Sequence, residues 1–332
     1  MLASIWNFKM IAGHYYQMIV NPASGSRLDT SLVHSLRERI LASGGAAHLD
    51  FTESIEQAGE LVAKAAIRRA MALIVFGGDG TVRSVVAAAC RSNLPVLVVP
   101  TGTINLLARE LGLERSVDGI MATLQYGHVE QIDVGTVNRT RFVSIAGAGF
   151  DAEVVRRLHM CRSGHIRRSH YLWHSLRTWS RYRFPHMRVQ VDGRVICDEP
   201  AAVFIGNISH YVANLRIHPK ARLNDGLLDV CIWTCRRRSL LAGHEPVAVL
   251  AHLLRLKPAI RCVGRRIDIT SQDGLVPTHL DGDLGPNLPV QIGIVSAGAK
   301  VLVPRKRHST LPEGRFAAEQ NVSSVGPACR SC

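Results

Sequence analysis

"FGGDGTVRSVV", residues 76–86, places two glycines, an aspartate, a third glycine and a threonine between an apolar run and a helical pattern. A strand that ends in glycines and opens a helix lets the backbone approach a ligand closely and aims free N–H groups at it, an arrangement suited to phosphate. The aspartate is the discordant residue. A carboxylate beside polyphosphate is repelled unless a divalent cation lies between them, so Asp79 fits a turn that receives its nucleotide with magnesium. Asp79 or Thr81 could also serve only as an N-cap, although capping does not call for the three glycines Gly77, Gly78 and Gly80.

Outward from this turn the N-terminal sequence keeps one rhythm. "YYQMIV", a helix over about 28–43, "AAHLDFT", a helix over about 55–69, "MALIVF", a helix from about 82, "LPVLVVP" and a helix over about 105–111 alternate apolar strands with helices. This pattern predicts a parallel sheet covered on both faces and joined by right-handed crossovers. Its strand-to-helix turns share one carboxyl edge, where ligands bind. Three turns should converge there: "NPASGS" at 21–26, "GGDGT" at 77–81 and "PTGTIN" at 100–105, with Thr52 beside them.

After about residue 126 the rhythm changes to short alternating segments separated by turns, among them "HVEQIDVGTV", "MRVQVDGRVI", "RRIDITS", "PVQIGIVS" and "AKVLVP". These predict an antiparallel sandwich, interrupted by helical stretches at about 152–183 and 240–256. The expected organisation is an N-terminal extension (1–14), a nucleotide-binding α/β domain (15–126), a β-sandwich substrate domain with helical insertions (127–304) and a flexible tail (305–332).

With 332 residues and 47% hydrophobic side chains, the chain is long enough for two cores. Forty Lys and Arg against 26 Asp and Glu leave +14, a surplus that favours anionic partners. Residues 156–188 hold nine of the arginines and no acidic residue, and Leu172, Trp173, Leu176 and Trp179 fall on one helical face. That segment reads either as a helix packed on the sandwich or as an interfacial helix docking on anionic lipid. The eight cysteines form no pair of zinc-ligand pairs: Cys231 and Cys235 are separated by three residues, and Cys329-x-x-Cys332 stands alone. A reducing compartment is expected, hence a cytoplasmic protein with peripheral contact at the inner membrane face. No run of apolar residues is long enough to span a bilayer.

"NPASG", "GGDGT" and "PTGTINLLARELG", followed in order by "GAGFDAEV" (147–154), "NDGLLDV" (224–230) and "LDGD" (280–283), resemble the diacylglycerol kinase catalytic-domain family, especially soluble bacterial lipid kinases related to sphingosine and ceramide kinases. The resemblance implies a phosphofructokinase-like, Rossmann-like parallel α/β domain, an antiparallel β-sandwich, and ATP in the cleft between. It places ATP contacts at Asn21, Pro22, Ser24, Gly25, Thr52, Gly78, Asp79, Gly80, Thr81, Arg83 and Thr103, to which the composition of the turns adds Gly77 and Asn105. It also implies a magnesium loop built from the Asp225 carboxylate with the carbonyls of Arg222 and Leu227, and an active-site acidic pair at Asp281 and Asp283.

The sequence departs from the family pattern in two places. The Asn-Glu pair that often follows "GGDGT" is Arg83-Ser84 here, and the usual Asp-Gly-Glu ends in the shorter Asp283. Arginine near phosphate can replace an amide contact electrostatically, and Asp keeps the carboxylate. The expected reaction is ATP- and Mg2+-dependent phosphorylation of a lipid hydroxyl, with diacylglycerol, sphingoid and phosphatidylglycerol lipids all open. Asp79 would hold magnesium, and Asp283 or Asp281 would act as general base. Asp281-Gly282 also reads as a simple hairpin turn. A soluble NAD kinase and a catalytically weakened membrane or nucleic-acid binding module are the competing readings, with no nucleic-acid partner expected under the favoured one.

Overall fold

The computed structural model describes residues 12–24, 30–54, 57–160, 178, 182–211, 216–234 and 259–305. Gly25, the arginine-rich residues 161–177 and 179–181, the expected helix at 240–256, Cys235, Cys329, Cys332 and the tail beyond 305 lie outside them.

Four parallel strands form the N-terminal sheet in the order β2 (Ala46–Phe51), β1 (Tyr15–Val20), β3 (Ala72–Gly77), β4 (Val96–Pro100). The side chains of β1, β3 and β4 alternate between two buried faces, while β2 is a partly exposed edge strand. Ile19, Leu73, Val75, Val96 and Val98 pack on α2 (Gln57–Ile67), α3 (Asp79–Ser92) and α4 (Leu106–Glu110). Tyr16, Met18, Ile74, Phe76, Leu97 and Val99 pack on α1 (Thr30–Ala42) and α5 (Val117–Tyr126). Burial on both faces is why these strands read as continuous apolar runs. The helix expected from residue 82 begins three residues earlier, because the backbone turns helical directly after Gly78. Helix α5 is not evident from periodicity, yet its start carries a cap: Ser116 Oγ accepts the Gly119 N–H at 3.1 Å.

The second half is antiparallel, as its alternating pattern predicts. One sheet runs β12 (Ala259–Gly264), β11 (Leu228–Trp233), β10 (Ala202–Gly206), β7 (Ile145–Gly149), β14 (Thr278–Leu280), β15 (Asp283–Leu284). It packs against β13 (Arg266–Ser271) and β8 (Met187–Val191) through a core that includes Ala146, Ala148, Val189, Ile205, Val230, Ile267 and Ile269. Helix α6 (Phe150–Met160) follows β7 and contacts β14 and β15.

The halves are joined by a strand that the sequence pattern splits. "PVQIGIVS" and "AKVLVP" are one strand, β16 (Val290–Val303), with a register shift between Val295 and Ala299. One edge of β16 pairs with β5 (His128–Val137); the other meets β13 early and β4 late, with Val301 opposite Val96. Ser296-Ala297-Gly298 therefore forms a bulge rather than a loop, with Ala297 at φ 50° and its N–H donating to Asp133 Oδ1 at 2.7 Å. Lying between β4 and β13, β16 joins the parallel strands and the antiparallel strands β13 and β8 into one continuous sheet.

Candidate active site

The strand-to-helix turns meet at the carboxyl edge of the parallel sheet. Asn21 Nδ2 donates to Thr81 Oγ1 at 2.7 Å, and Ser24 Oγ lies 2.7 Å from Thr101 Oγ1. Gly78 and Gly102 pass so closely that a Cβ on Gly102 would sit 2.6 Å from the Gly78 Cα. A Cβ on Gly77 would meet the Thr81 side chain at 2.6 Å. Gly102 is thus required by packing between turns and Gly77 by packing within its own turn, and both leave backbone at the edge. Gly78 is the N-cap of α3 and, as a glycine, brings no side chain to the first-turn N–H groups. Thr52 is buried beside β1, with its hydroxyl 3.5 Å from the Val20 carbonyl. Pro22 and Thr103 are exposed at the rim. Asn105 closes its own turn: its Oδ1 accepts the Gly102 N–H at 2.9 Å and its Nδ2 donates to the Gly102 carbonyl at 2.7 Å.

Asp79 binds the second turn to the third. Its oxygens accept the N–H groups of Asn105 at 3.0 Å and Leu106 at 2.6 Å, so it caps α4 rather than its own helix. Burial pushes its pKa up to about 6, with the Asp281 carboxylate adding to the rise and the N–H donors opposing it.

From the other half, the β14–β15 hairpin brings the acidic pair over α3. Asp281 and Gly282 form the two-residue turn, with φ of 51° and 87°, and Leu280 pairs with Asp283. Positive φ at both central residues suits the Asp-Gly dipeptide of a type I′ hairpin. The two carboxylates have different work. Asp281 is buried and accepts three N–H groups, from Val143 and Ser144 at 2.8 Å and Ile145 at 2.9 Å, which pin the hairpin to the start of β7. Burial raises its pKa against the opposing effect of those donors.

Asp283, 24% exposed, faces the nucleotide edge and pairs with Arg83 Nη2 at 2.9 Å. Its Oδ2 lies where a Cβ on Gly80 would come within 2.5 Å, so the third glycine of the turn admits the carboxylate. His159 Nε2 lies 3.8 Å from Asp283 Oδ1. Arg83 Nε is buried with no partner, which leaves this guanidinium with unused donor capacity. The two departures from the family pattern therefore meet in the contact of Arg83 with Asp283.

The expected magnesium loop stands apart from this edge in its bonding. Asp225 Oδ1 accepts the Leu227 N–H at 3.1 Å, and Arg222 is half-buried. Asp133 organises the loop: its carboxylate accepts the Gly226 N–H at 2.6 Å, and its own N–H donates to the Leu223 carbonyl at 2.6 Å. Among the described residues, no cluster of three or more His, Cys, Asp or Glu side chains could hold a metal. Sequence reasoning misses Asp133, Glu110, Asp151, Ser209, His210, Tyr211 and His279. Glu110 and Asp151 lie inside the quoted motifs "PTGTINLLARELG" and "GAGFDAEV", and His279 immediately precedes "LDGD".

A parallel α/β sheet with glycine turns at its carboxyl edge, faced by a sandwich that lowers an acidic hairpin onto them, defines a two-domain kinase. Residues 16–137 match the diacylglycerol kinase catalytic domain, and residues 144–303 match the YegS C-terminal NAD kinase beta sandwich-like domain. The chain belongs to the diacylglycerol kinase catalytic-domain family and is by that membership a lipid kinase, with ATP as the family's phosphate donor. It is 28% identical over 299 residues to a diacylglycerol kinase of Mycobacterium tuberculosis, covering 86% of this chain and 94% of that protein. A diacylglycerol kinase of Bacillus subtilis is 26% identical over 305 residues, covering 90% and 99%. The crystal structure of a diacylglycerol kinase from Bacillus anthracis superposes with a TM-score of 0.68 at 20% identity, covering 88% of this chain and 98% of that one. No helix among the described residues is long and apolar enough to cross a membrane.

Proposed function

We propose that the cleft transfers the γ-phosphate of ATP to the hydroxyl of a diacylglycerol-type lipid. The observation that supports this best is the placement of Asp283, 200 residues away in sequence, against Arg83 and Gly80 at the start of α3. Phosphoryl transfer needs an aligned hydroxyl and neutralisation of developing charge more than it needs covalent chemistry from the protein. The uncapped N-terminus of α3 and the turns at Asn21, Ser24 and Gly102 would cradle the phosphates. Asp283 would take the proton of the lipid hydroxyl as its oxygen forms the new P–O bond and the bond to ADP breaks. Arg83, released from Asp283 and with an unpartnered Nε, would meet charge on the transferring phosphoryl group. Asp281 would anchor the hairpin.

Magnesium suits this donor set as a cation carried largely by the nucleotide. Asp79 and Asp281 accept backbone N–H groups and Asp283 pairs with Arg83, so these carboxylates form no all-protein cage, and Mg2+ commonly takes one or two carboxylates plus phosphate oxygens. Asp79 is the residue proposed to meet it, where it would offset phosphate charge. The loop of Asp225, Arg222 and Leu227 is proposed as a second, structural magnesium position. Peripheral contact with an anionic inner membrane surface through 156–188, in a cytoplasmic protein, completes the proposal.

Incubation with γ-labelled ATP, Mg2+ and micelles of diacylglycerol, sphingosine, ceramide or phosphatidylglycerol tests it, with NAD as the soluble acceptor. Labelled lipid in wild type and none with Asp283→Asn is the expected result. Label on NAD alone would reassign the chain to soluble nucleotide phosphorylation, and no transfer to any acceptor would sink the reading.

A further inference from the structure

A chain of buried and half-buried polar groups links the two sides of the cleft, and the transfer chemistry uses none of them directly. Residues 207–211, directly after β10, form its crosspiece. Asn207 Nδ2 donates to the Asp133 carbonyl at 2.7 Å. Ser209 Oγ donates to Glu110 Oε2 at 2.9 Å, and His210 Nδ1 lies 2.8 Å from the same oxygen. Tyr211 donates its hydroxyl to Asp151 Oδ1 at 2.6 Å, and Asp151 Oδ2 lies 2.5 Å from His279 Nε2. Glu110 ends α4, whose start Asp79 holds, while His279 stands two residues before Asp281. The nucleotide turns and the acidic hairpin are thus connected through polar contacts as well as through the backbone.

The Asp151–His279 pair is built for geometry. Tyr211 already donates to one oxygen of Asp151, so the carboxylate is the acceptor and His279 Nε2 carries the proton between them. His279 is 2% exposed, and Asp151 and Tyr211 are also buried. Unpaired, such groups would be costly to bury, so the pairing holds each in one place. Room for the pair comes from Gly147 on β7, opposite His279 in register, where a Cβ would collide with the imidazole and lie 3.2 Å from Asp151 Oδ2. Strands β14 and β15 have only three and two residues, too few to hold a hairpin alone.

We infer that His279, held by Asp151 and Tyr211, is a positioning residue that fixes β14 so that its turn delivers Asp283 to the start of α3. The inference rests on the reading of Asp283 as proton acceptor, yet part of its test does not depend on activity. In the full-length chain, His279→Leu should speed amide hydrogen exchange in peptides covering 278–284 by about tenfold or more, leaving β1 and β3 unchanged. With diacylglycerol micelles it should lower kcat roughly 10- to 100-fold while the KM for ATP stays within about twofold, the split expected of a misplaced catalytic group. His279→Gln keeps a donor at the Nε2 position and should recover kcat to within about threefold of wild type. Tyr211→Phe should shift exchange and kcat in the same direction by less.

Wild-type exchange at 278–284 in His279→Leu, or a Gln variant as impaired as Leu, would overturn the inference. If His279→Leu does not fold, Tyr211→Phe decides, and unchanged exchange at 278–284 in that variant counts against it. If wild type phosphorylates no lipid, the proposed function falls, while the exchange comparison still decides whether His279 holds the hairpin.

Discussion

The two sides of the cleft are built by different means. On the nucleotide side, residues 21–24, 77–81 and 101–105 are contiguous turns whose glycines bring backbone to backbone, as Gly78 and Gly102 do. On the sandwich side, single side chains far apart in sequence make the arrangement: Asp133, Asp151, Tyr211, His279, Asp281 and Asp283. Backbone recognition writes itself into short motifs, because glycine is required wherever a Cβ would collide. Side-chain recognition leaves scattered polar residues whose partners only the fold reveals.

The sharpest way to break this comparison is at the point where the sides touch. Asp283→Asn keeps size and polarity but removes the proton acceptor and the Arg83 ion pair. The expected loss in kcat is roughly 10²- to 10⁴-fold, with ATP affinity nearly unchanged. Steady-state kinetics with ATP varied at saturating lipid would show it, and a KM effect without a kcat effect would place Asp283 on the nucleotide instead. Gly80→Ala tests the contact from the opposite side. Its Cβ would lie 2.5 Å from Asp283 Oδ2, the end of a side chain that can swing away, so the fold should tolerate it while kcat falls by roughly 10- to 100-fold. Unaltered kcat with normal melting would show that Asp283 does not need its present position.

The same contrast explains how much of the molecule is legible in its sequence. The parallel strands and their turns are legible because apolar period and glycine placement are local signals, and β1, β3 and β4 fall within a residue or two of the expected runs. The sandwich strands are legible as strands but not as a topology. Ser296-Ala297-Gly298 has the composition of a turn, and only the Ala297 N–H on Asp133 makes it a bulge inside one 14-residue strand. Asp281 and Asp283 are legible as a pair, but not their division into anchor and exposed carboxylate, since that depends on three N–H groups about 140 residues upstream. Asp79 reads in sequence as a ligand of magnesium, and its bonds to Asn105 and Leu106 come from a helix that opens 27 residues later.

Those bonds make Asp79 the next test. Asp79→Ala would leave two N–H groups at the start of α4 without their acceptor, at roughly 1–3 kcal/mol for each that stays buried. Thermal melting should fall and the KM for ATP should rise, because α4 carries the third turn; an unchanged melting temperature would mean water replaces the carboxylate. Its pH dependence runs two ways. With a folded pKa of about 6, raised from 3.8, the folded state binds the proton more tightly, so this group favours stability below about pH 4 and that contribution is lost as pH rises through about 6. Activity needs the carboxylate to hold α4 and should instead fall as pH drops below about 6. Opposite slopes of activity and of this stability contribution between pH 4 and 6, absent in Asp79→Asn, are the expected signature.

The smallest effect at neutral pH belongs to a buried sandwich residue outside the site. His218 is 2% exposed, its Nε2 has no partner, and burial, with Arg261 adding to it, lowers its pKa from 6.5 to about 3. Here the unfolded chain binds the proton more readily, so the contribution to stability is full above about pH 6.5 and is lost as pH falls toward 3. His218→Leu removes both the titration and the unpartnered nitrogen while filling much of the space next to Gly206. Near pH 7.5 its melting temperature should stay within a few degrees of wild type, and by pH 5 it should be the more stable protein, by on the order of 1–2 kcal/mol. kcat at pH 7.5 should not change. Parallel loss of stability with acid in both proteins would place the acid sensitivity of the sandwich elsewhere. A fall in kcat would show that the loop before β11 reaches the chemistry after all.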